Sequence, residues 1–106
     1  MKIKIKSLSV NRAYRGRRFK TPEYKSYEQE LFLLLPKMVV PEGKLKLELT
    51  FGFSSKASDI DNPVKPFQDI LQKKYDFDDK MIYTLIVHKE IVPKGEEFIS
   101  FTLTGI

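Results

Sequence analysis

From Leu45 to Phe53 the chain reads LKLELTFGF, with an apolar side chain at every second position. A period of two puts Leu45, Leu47, Leu49, Phe51 and Phe53 on one face of a β-strand and wets the other, so the segment requires a sheet covered on one side. The rest of the chain is patterned to supply partners and cover. KIKIKSLSV alternates Ile3, Ile5 and Leu8 with polar residues and predicts a first strand. In TPEYKSYEQELFLLLPK, Thr21 is placed to cap a helix and Pro22 to open it. Tyr24, Tyr27, Leu31 and Leu34 then recur at helical spacing until Pro36. Asn62 and Pro63 read as the cap and first residue of a second helix, with Val64, Phe67, Ile70 and Leu71 as its buried stripe to about Lys74. Pro66 is tolerated there because it falls in the first turn. MIYTLIVHKEIV and EEFISFTLTGI read as two strands joined through PKGE, an antiparallel hairpin. The expected fold is a small α+β domain spanning residues 1–106, of order β-α-β-α-β-β, with a mixed sheet and helices packed on it.

At 106 residues with 42% hydrophobic and 31% charged composition, the chain suits one globular domain near the size at which a second subunit helps to bury surface. The absence of cysteine excludes a disulfide framework and thiolate metal sites. MKIKIKSLSV alternates charge with isoleucine, which excludes a signal peptide or membrane span at that point and makes a cytoplasmic location the default. A formal charge of +5 favours polyanionic partners.

The acids are sorted by type: all six aspartates lie in SDIDNPVKPFQDILQKKYDFDD, residues 58–79, and all eight glutamates lie outside it. If the chain is extended ahead of the second helix, Asp59 and Asp61 point the same way. Lys65 and Asp69 follow at one-turn intervals on the face away from the apolar stripe. DFDDK then leaves the helix, so that Asp78 or Asp79 can fold back to complete a three-carboxylate site. Carboxylates held that close repel, and one takes up a proton unless a cation is bound. Oxygen donors favour Mg²⁺ or Mn²⁺ over Zn²⁺, an arrangement suited to cutting a phosphodiester, with Lys65 stabilising charge on the phosphate. A purely local reading stands beside this one, since aspartates favour helix starts and turns.

All four arginines also fall together, in RAYRGRR. Asn11, Arg12, Tyr14, Arg15, Arg17, Arg18 and Lys20 offer forked donors for DNA phosphates and one ring for stacking, or else form a solvated basic loop. His88 reads as an ordinary strand residue, and Tyr24, Tyr27 and Phe32 as core or subunit surface.

Asp59-Ile60-Asp61-Asn62, then Lys65, Asp69-Ile70-Leu71, and Asp78-Asp79 followed by Ile82, resembles the signature of the RusA family of Holliday-junction resolvases. SVNRAYR, Ser9 to Arg15, resembles that family's loop after its first strand. The resemblance implies a homodimeric, Mg²⁺-dependent endodeoxyribonuclease of phage or prophage type that nicks four-way DNA junctions in recombination and repair, with Mn²⁺ as a possible substitute. By motif position Asp59, Asp61 and Asp79 match the family's essential acids and metal ligands, and Lys65 its essential lysine. Asp78 and Asp69 are further possible ligands. The sequence departs from the pattern at Tyr75 and Phe77, where the family often has a small residue and glycine, which leaves Asp78 and Asp79 as alternatives. Pro63 and Pro66 are further departures. A non-catalytic nucleic-acid-binding protein retaining the same fold is the alternative function; a structural or protein-interaction module would leave the arginine cluster unexplained.

Overall fold

The computed structural model describes residues 1–16 and 19–106. In chain order its elements are β1 (Lys2–Ile3), α1 (Val10–Ala13), β2 (Tyr14–Arg15), β3 (Phe19–Lys20), α2 (Pro22–Leu34), β4 (Leu45–Phe53), α3 (Val64–Tyr75), a 3-10 turn (Asp79–Met81), β5 (Ile82–Ile91) and β6 (Phe98–Gly105). The predicted α+β order is present, with a small α1–β2–β3 excursion inserted in the arginine loop. The main sheet has the order β1-β6-β4-β5 and is mixed: β4 runs parallel to β5 and antiparallel to β6. The alternating strand therefore lies inside the sheet, paired on both edges.

The predicted hairpin between the last two strands is not formed. Residues 92–97 cross the end of β4, where the Val92 N–H donates to the Phe53 carbonyl at 2.8 Å, and β6 pairs on the far side. The side chains of the two candidates for the centre explain the choice. β5 carries His88, Lys89 and Glu90, all exposed, and charge of that kind suits an edge strand. β4 has its apolar face filled and takes the interior. Connecting β4 to a parallel β5 requires a crossover, and α3 supplies it.

Leu45, Leu47, Leu49 and Phe51 of β4 are buried with Phe67, Ile70 and Leu71 of α3 and Ile99 and Phe101 of β6. The Phe67 ring meets Phe51 and Phe101 edge-on, with centroids 6.2 and 5.8 Å apart, geometry worth about 0.5–1.5 kcal/mol per pair beyond burial. Gly52 has no room for a side chain, because the Phe98 ring occupies the space a Cβ would need.

α2 begins as the sequence predicts, with Thr21 Oγ1 accepting from the Tyr24 N–H and Pro22 in the first turn. Its stripe is Tyr24, Tyr27, Leu31 and Leu35, not Leu34, which is 46% exposed. Three turns of 3.6 residues from Tyr24 end nearest Leu35. α3 starts one residue later than expected. Pro63 occupies the cap position with no side-chain cap, and Asn62 instead donates its side-chain amide to Asp59 Oδ2 at 3.3 Å. Pro66 lacks an N–H, so one of the donors that a helix start normally leaves unpaired is absent. No helix of the described residues is long and apolar enough to cross a membrane.

Candidate active site

The two clusters singled out in the sequence meet. The Val10 N–H, at the start of α1, donates to the Asn62 carbonyl at 2.8 Å, which fastens the arginine loop to the turn carrying Asp59 and Asp61. One turn into α3, Tyr14 Oη donates to Asp69 Oδ2 at 2.7 Å while Lys65 Nζ donates to Asp69 Oδ1 at 2.9 Å. Asp69 thus bridges the loop and the helix. The Tyr14 ring stacks obliquely on Tyr24 with centroids 5.4 Å apart. Burial first, then the hydrogen bond to Asp69, pushes its phenol well above the ordinary value and keeps it a donor. Tyr14 therefore reaches the site as a brace whose hydroxyl is already committed.

The turn ahead of α3 is not extended. The Asn62 N–H donates to the Asp59 carbonyl and the Val64 N–H to that of Asp61, at 3.3 and 3.2 Å, so the chain curls through residues 59–64. Asp59 and Asp61 consequently line different hollows. Asp59 borders a cleft of about 740 Å³ shared with Arg12 and Asn62, and Asp61 an apolar groove of about 400 Å³ between α3 and β5. Lys65, with a side chain 61% exposed, sits on the ridge between that groove and a third hollow of about 550 Å³ lined by Asn11, Tyr14 and Asp69.

The second acidic turn is held by Gln72, a residue the sequence reading did not single out. Its Oε1 accepts from the Asp79 N–H at 2.8 Å and its Nε2 approaches Asp69 Oδ1 at 3.4 Å. The only sequence signal for it is the three-residue spacing from Asp69. Asp78 caps the 3-10 turn, accepting from the Lys80 N–H at 3.0 Å, and Asp76 ends α3 in the left-handed conformation at φ 53°. The Asp79 carboxylate accepts no hydrogen bond from a described residue. Lys89 of β5 was also unforeseen: its ammonium donates to the Lys56 carbonyl at 3.0 Å and to that of Ser58, anchoring the chain just before Asp59.

Arg15 is exposed on β2, opposite Phe19. Lys20 lies over the Tyr24 ring at 5.1 Å, and the neighbouring Lys73 ammonium, followed by partial desolvation, lowers its pKa from the ordinary lysine value. Arg17 and Arg18 lie outside the described residues. His88 pairs with Glu48 across the sheet at 2.9 Å, as a strand residue. Tyr24 and Tyr27 are core residues.

The donors near the first turn are of the kind a hard divalent cation takes, carboxylate oxygens without thiolate. Among the described residues, however, no group of three His, Cys, Asp or Glu side chains is arranged to hold a metal ion. The three-carboxylate cage expected from the sequence is not assembled. Asp59 and Asp61 are two residues apart on one turn but open onto different hollows.

The loop that carries the arginines is thus fastened to the turn that carries Asp59 and Asp61, on a small mixed-sheet scaffold. The sequence profile of the family described as endodeoxyribonuclease RusA matches residues 6–98, and the chain belongs to this family. No curated protein matches the chain. Membership implies a Holliday-junction-resolving endonuclease that acts on branched DNA, in a family that generally uses a divalent metal ion.

Proposed function

We propose that the protein is a Mg²⁺-dependent endodeoxyribonuclease of phage or prophage type, cytoplasmic and homodimeric, which nicks four-way DNA junctions, with residues 1–106 acting as one catalytic domain. The observation that carries this reading is the Val10–Asn62 hydrogen bond together with the Tyr14–Asp69–Lys65 bridge, which bring the phosphate-binding loop and the acidic turn to one surface. Asn11, Arg12, Arg15 and Lys20, with Arg17 and Arg18 of the same loop, hold the DNA backbone by charge and forked hydrogen bonds. Tyr14 contributes by bracing the loop against Asp69.

Asp59 and Asp61 would hold Mg²⁺, or Mn²⁺ in its place, with Asp79 as the third acid of the site. The Asp79 carboxylate, which accepts no hydrogen bond from a described residue, supports this choice over Asp78, which is spent on a cap. Asp69 serves as the partner of Lys65 in place of a ligand role. When bound, such an ion lowers the pKa of a coordinated water and so supplies a nucleophile near neutral pH. Lys65 stabilises the charge that develops on the phosphate oxygens. Its pairing with Asp69 keeps the ammonium positioned while leaving it exposed to substrate. A two-fold dimer presents two such sites to the paired strands of a junction.

The lack of a preformed three-acid group among the described residues favours, as a second reading, a binding protein that keeps the fold without catalysis. A nicking assay on a synthetic four-way junction, with and without Mg²⁺, separates the two. Symmetric nicks that depend on the metal support the enzyme, and tight binding without nicks under both conditions rejects it.

A further inference from the structure

The cleft beside Asp59 is not used by the chemistry above except at its rim. It opens beside Asp59, between the N-terminal loop, the first turns of α2 and the end of β4, and its volume of about 740 Å³ falls within the range of about 300–1,000 Å³ typical of small-molecule sites. Apolar surface comes from Leu8 and Phe53, with the largely buried Tyr27 and Pro63 beneath, and hydroxyls from Ser26 and Ser54. Charge decides what such a cleft accepts. Among its described lining residues Glu23, Glu30, Asp59 and Glu97 outnumber Lys6 and Arg12, so the interior disfavours a phosphate. A neutral, flat heterocycle with amino and imino donors meets apolar walls and acceptor oxygens instead. Arg12, the one arginine described in the lining, is a forked donor for a phosphate left outside.

We propose that this cleft receives a nucleobase unstacked from the junction centre, with its own phosphate left at the Asp59 rim, and that it is the element through which the protein selects where a strand is cut. The assignment rests on the nuclease reading for its DNA substrate. In the open form of a four-way junction, in which the arms are not stacked end on end, bases at the branch point have a stacking partner on one side only, which lowers the cost of drawing one out. Recognition of a splayed base by a mixed apolar and hydrogen-bonding pocket is a general way to read sequence without a groove. Seating the base here brings the phosphate next to it to Asp59 and the arginine loop, so selection and cleavage address the same nucleotide.

The test uses four-way junctions carrying 2-aminopurine, whose fluorescence rises on unstacking, at successive positions around the branch. The full chain is added without Mg²⁺, so that no strand is cut. Emission is expected to rise at a position adjoining the branch. Ser26→Trp and Ser54→Trp, at exposed lining residues in α2 and just after β4, are chosen to fill the cleft and should each abolish the rise. Junction affinity should stay within about two-fold, since backbone contacts carry most of it. Using two fillers guards against one of them failing to fold, which circular dichroism monitors. No rise at any position, or a rise retained in a folded filler, overturns the proposal. Nicking with Mg²⁺ is scored separately. A parent that does not nick but shows the cleft-dependent rise refutes the nuclease reading and leaves the base site standing, whereas a nicking parent without the rise does the reverse.

Discussion

The two acidic turns that flank α3 use the same amino acid for different ends. In the turn after the helix, Asp76 takes the left-handed cap conformation and Asp78 caps the 3-10 turn, so two of the three aspartates are explained by local backbone needs. In the turn before it, neither Asp59 nor Asp61 caps α3, whose cap position is held by Pro63. That turn is fastened from outside, by Val10 on one side and by Lys89 on the other. Local capping thus accounts for Asp76 and Asp78 in the second turn, and not for Asp59, Asp61 or Asp79.

The largest expected effect tests that contrast directly. Asp61→Asn, and equally Asp79→Asn, should abolish Mg²⁺-dependent nicking of a four-way junction. Asp61→Asn should also bind the junction without metal as well as the parent or better, because one charge repelling phosphate is gone. A mutant that nicks at the parental rate would return Asp61 to the class of structural acids. Next in size, Lys65→Met should slow nicking by about 10²–10³-fold, the scale of losing one preorganised donor to transition-state charge, with unfolding unchanged since Lys65 faces away from the core. Unaltered turnover would mean the Lys65–Asp69 pair is only a surface ion pair.

Arg12→Ala combined with Arg15→Ala should weaken binding to all DNA forms. It should also reduce the slope of log affinity against log salt by about 1.8, or about 0.9 for each phosphate that is no longer neutralised. A parental slope would locate the DNA on another face. The smallest effect belongs to the second turn: Asp78→Asn should retain nicking and change stability by less than about 1 kcal/mol, because asparagine caps as well as aspartate. A large loss of activity there would exchange the roles assigned to Asp78 and Asp79.

Alkaline titration adds a check on the brace between the clusters. Tyr14 has its folded pKa raised above the ordinary value of 10.0. Its contribution to stability is full below that value and is lost as pH rises toward the folded one. Tyr14→Phe should make the unfolding midpoint fall less steeply above about pH 10 than in the parent. Identical alkaline profiles would show that Tyr14 is not held by Asp69 in solution.

Much of the scaffold was legible because it follows from period and capping, which act within a few residues. The alternation of Leu45 to Phe53, the Thr21–Pro22 helix start and the Phe67, Ile70 and Leu71 stripe each appear where the sequence puts them. Errors arose where two local solutions were close in energy. PKGE permits a hairpin, yet β4 needed partners on both edges and came between β5 and β6. Asn62 has the composition of a cap but spends its side chain on Asp59 and its carbonyl on Val10.

By itself the sequence determined the two long helices and the three long strands, that acids and arginines are sorted into separate clusters, and which residues carry the family signature. Only the tertiary structure decided that the clusters share a surface, that Asp59 and Asp61 open onto different hollows, that Gln72 and Lys89 hold the acidic turns, and which strand fills the centre of the sheet. The reason is range. Periodicity and caps are written in neighbouring residues, whereas a hydrogen bond such as Tyr14 to Asp69 joins residues 55 positions apart and exists only once the sheet and α3 have brought them together.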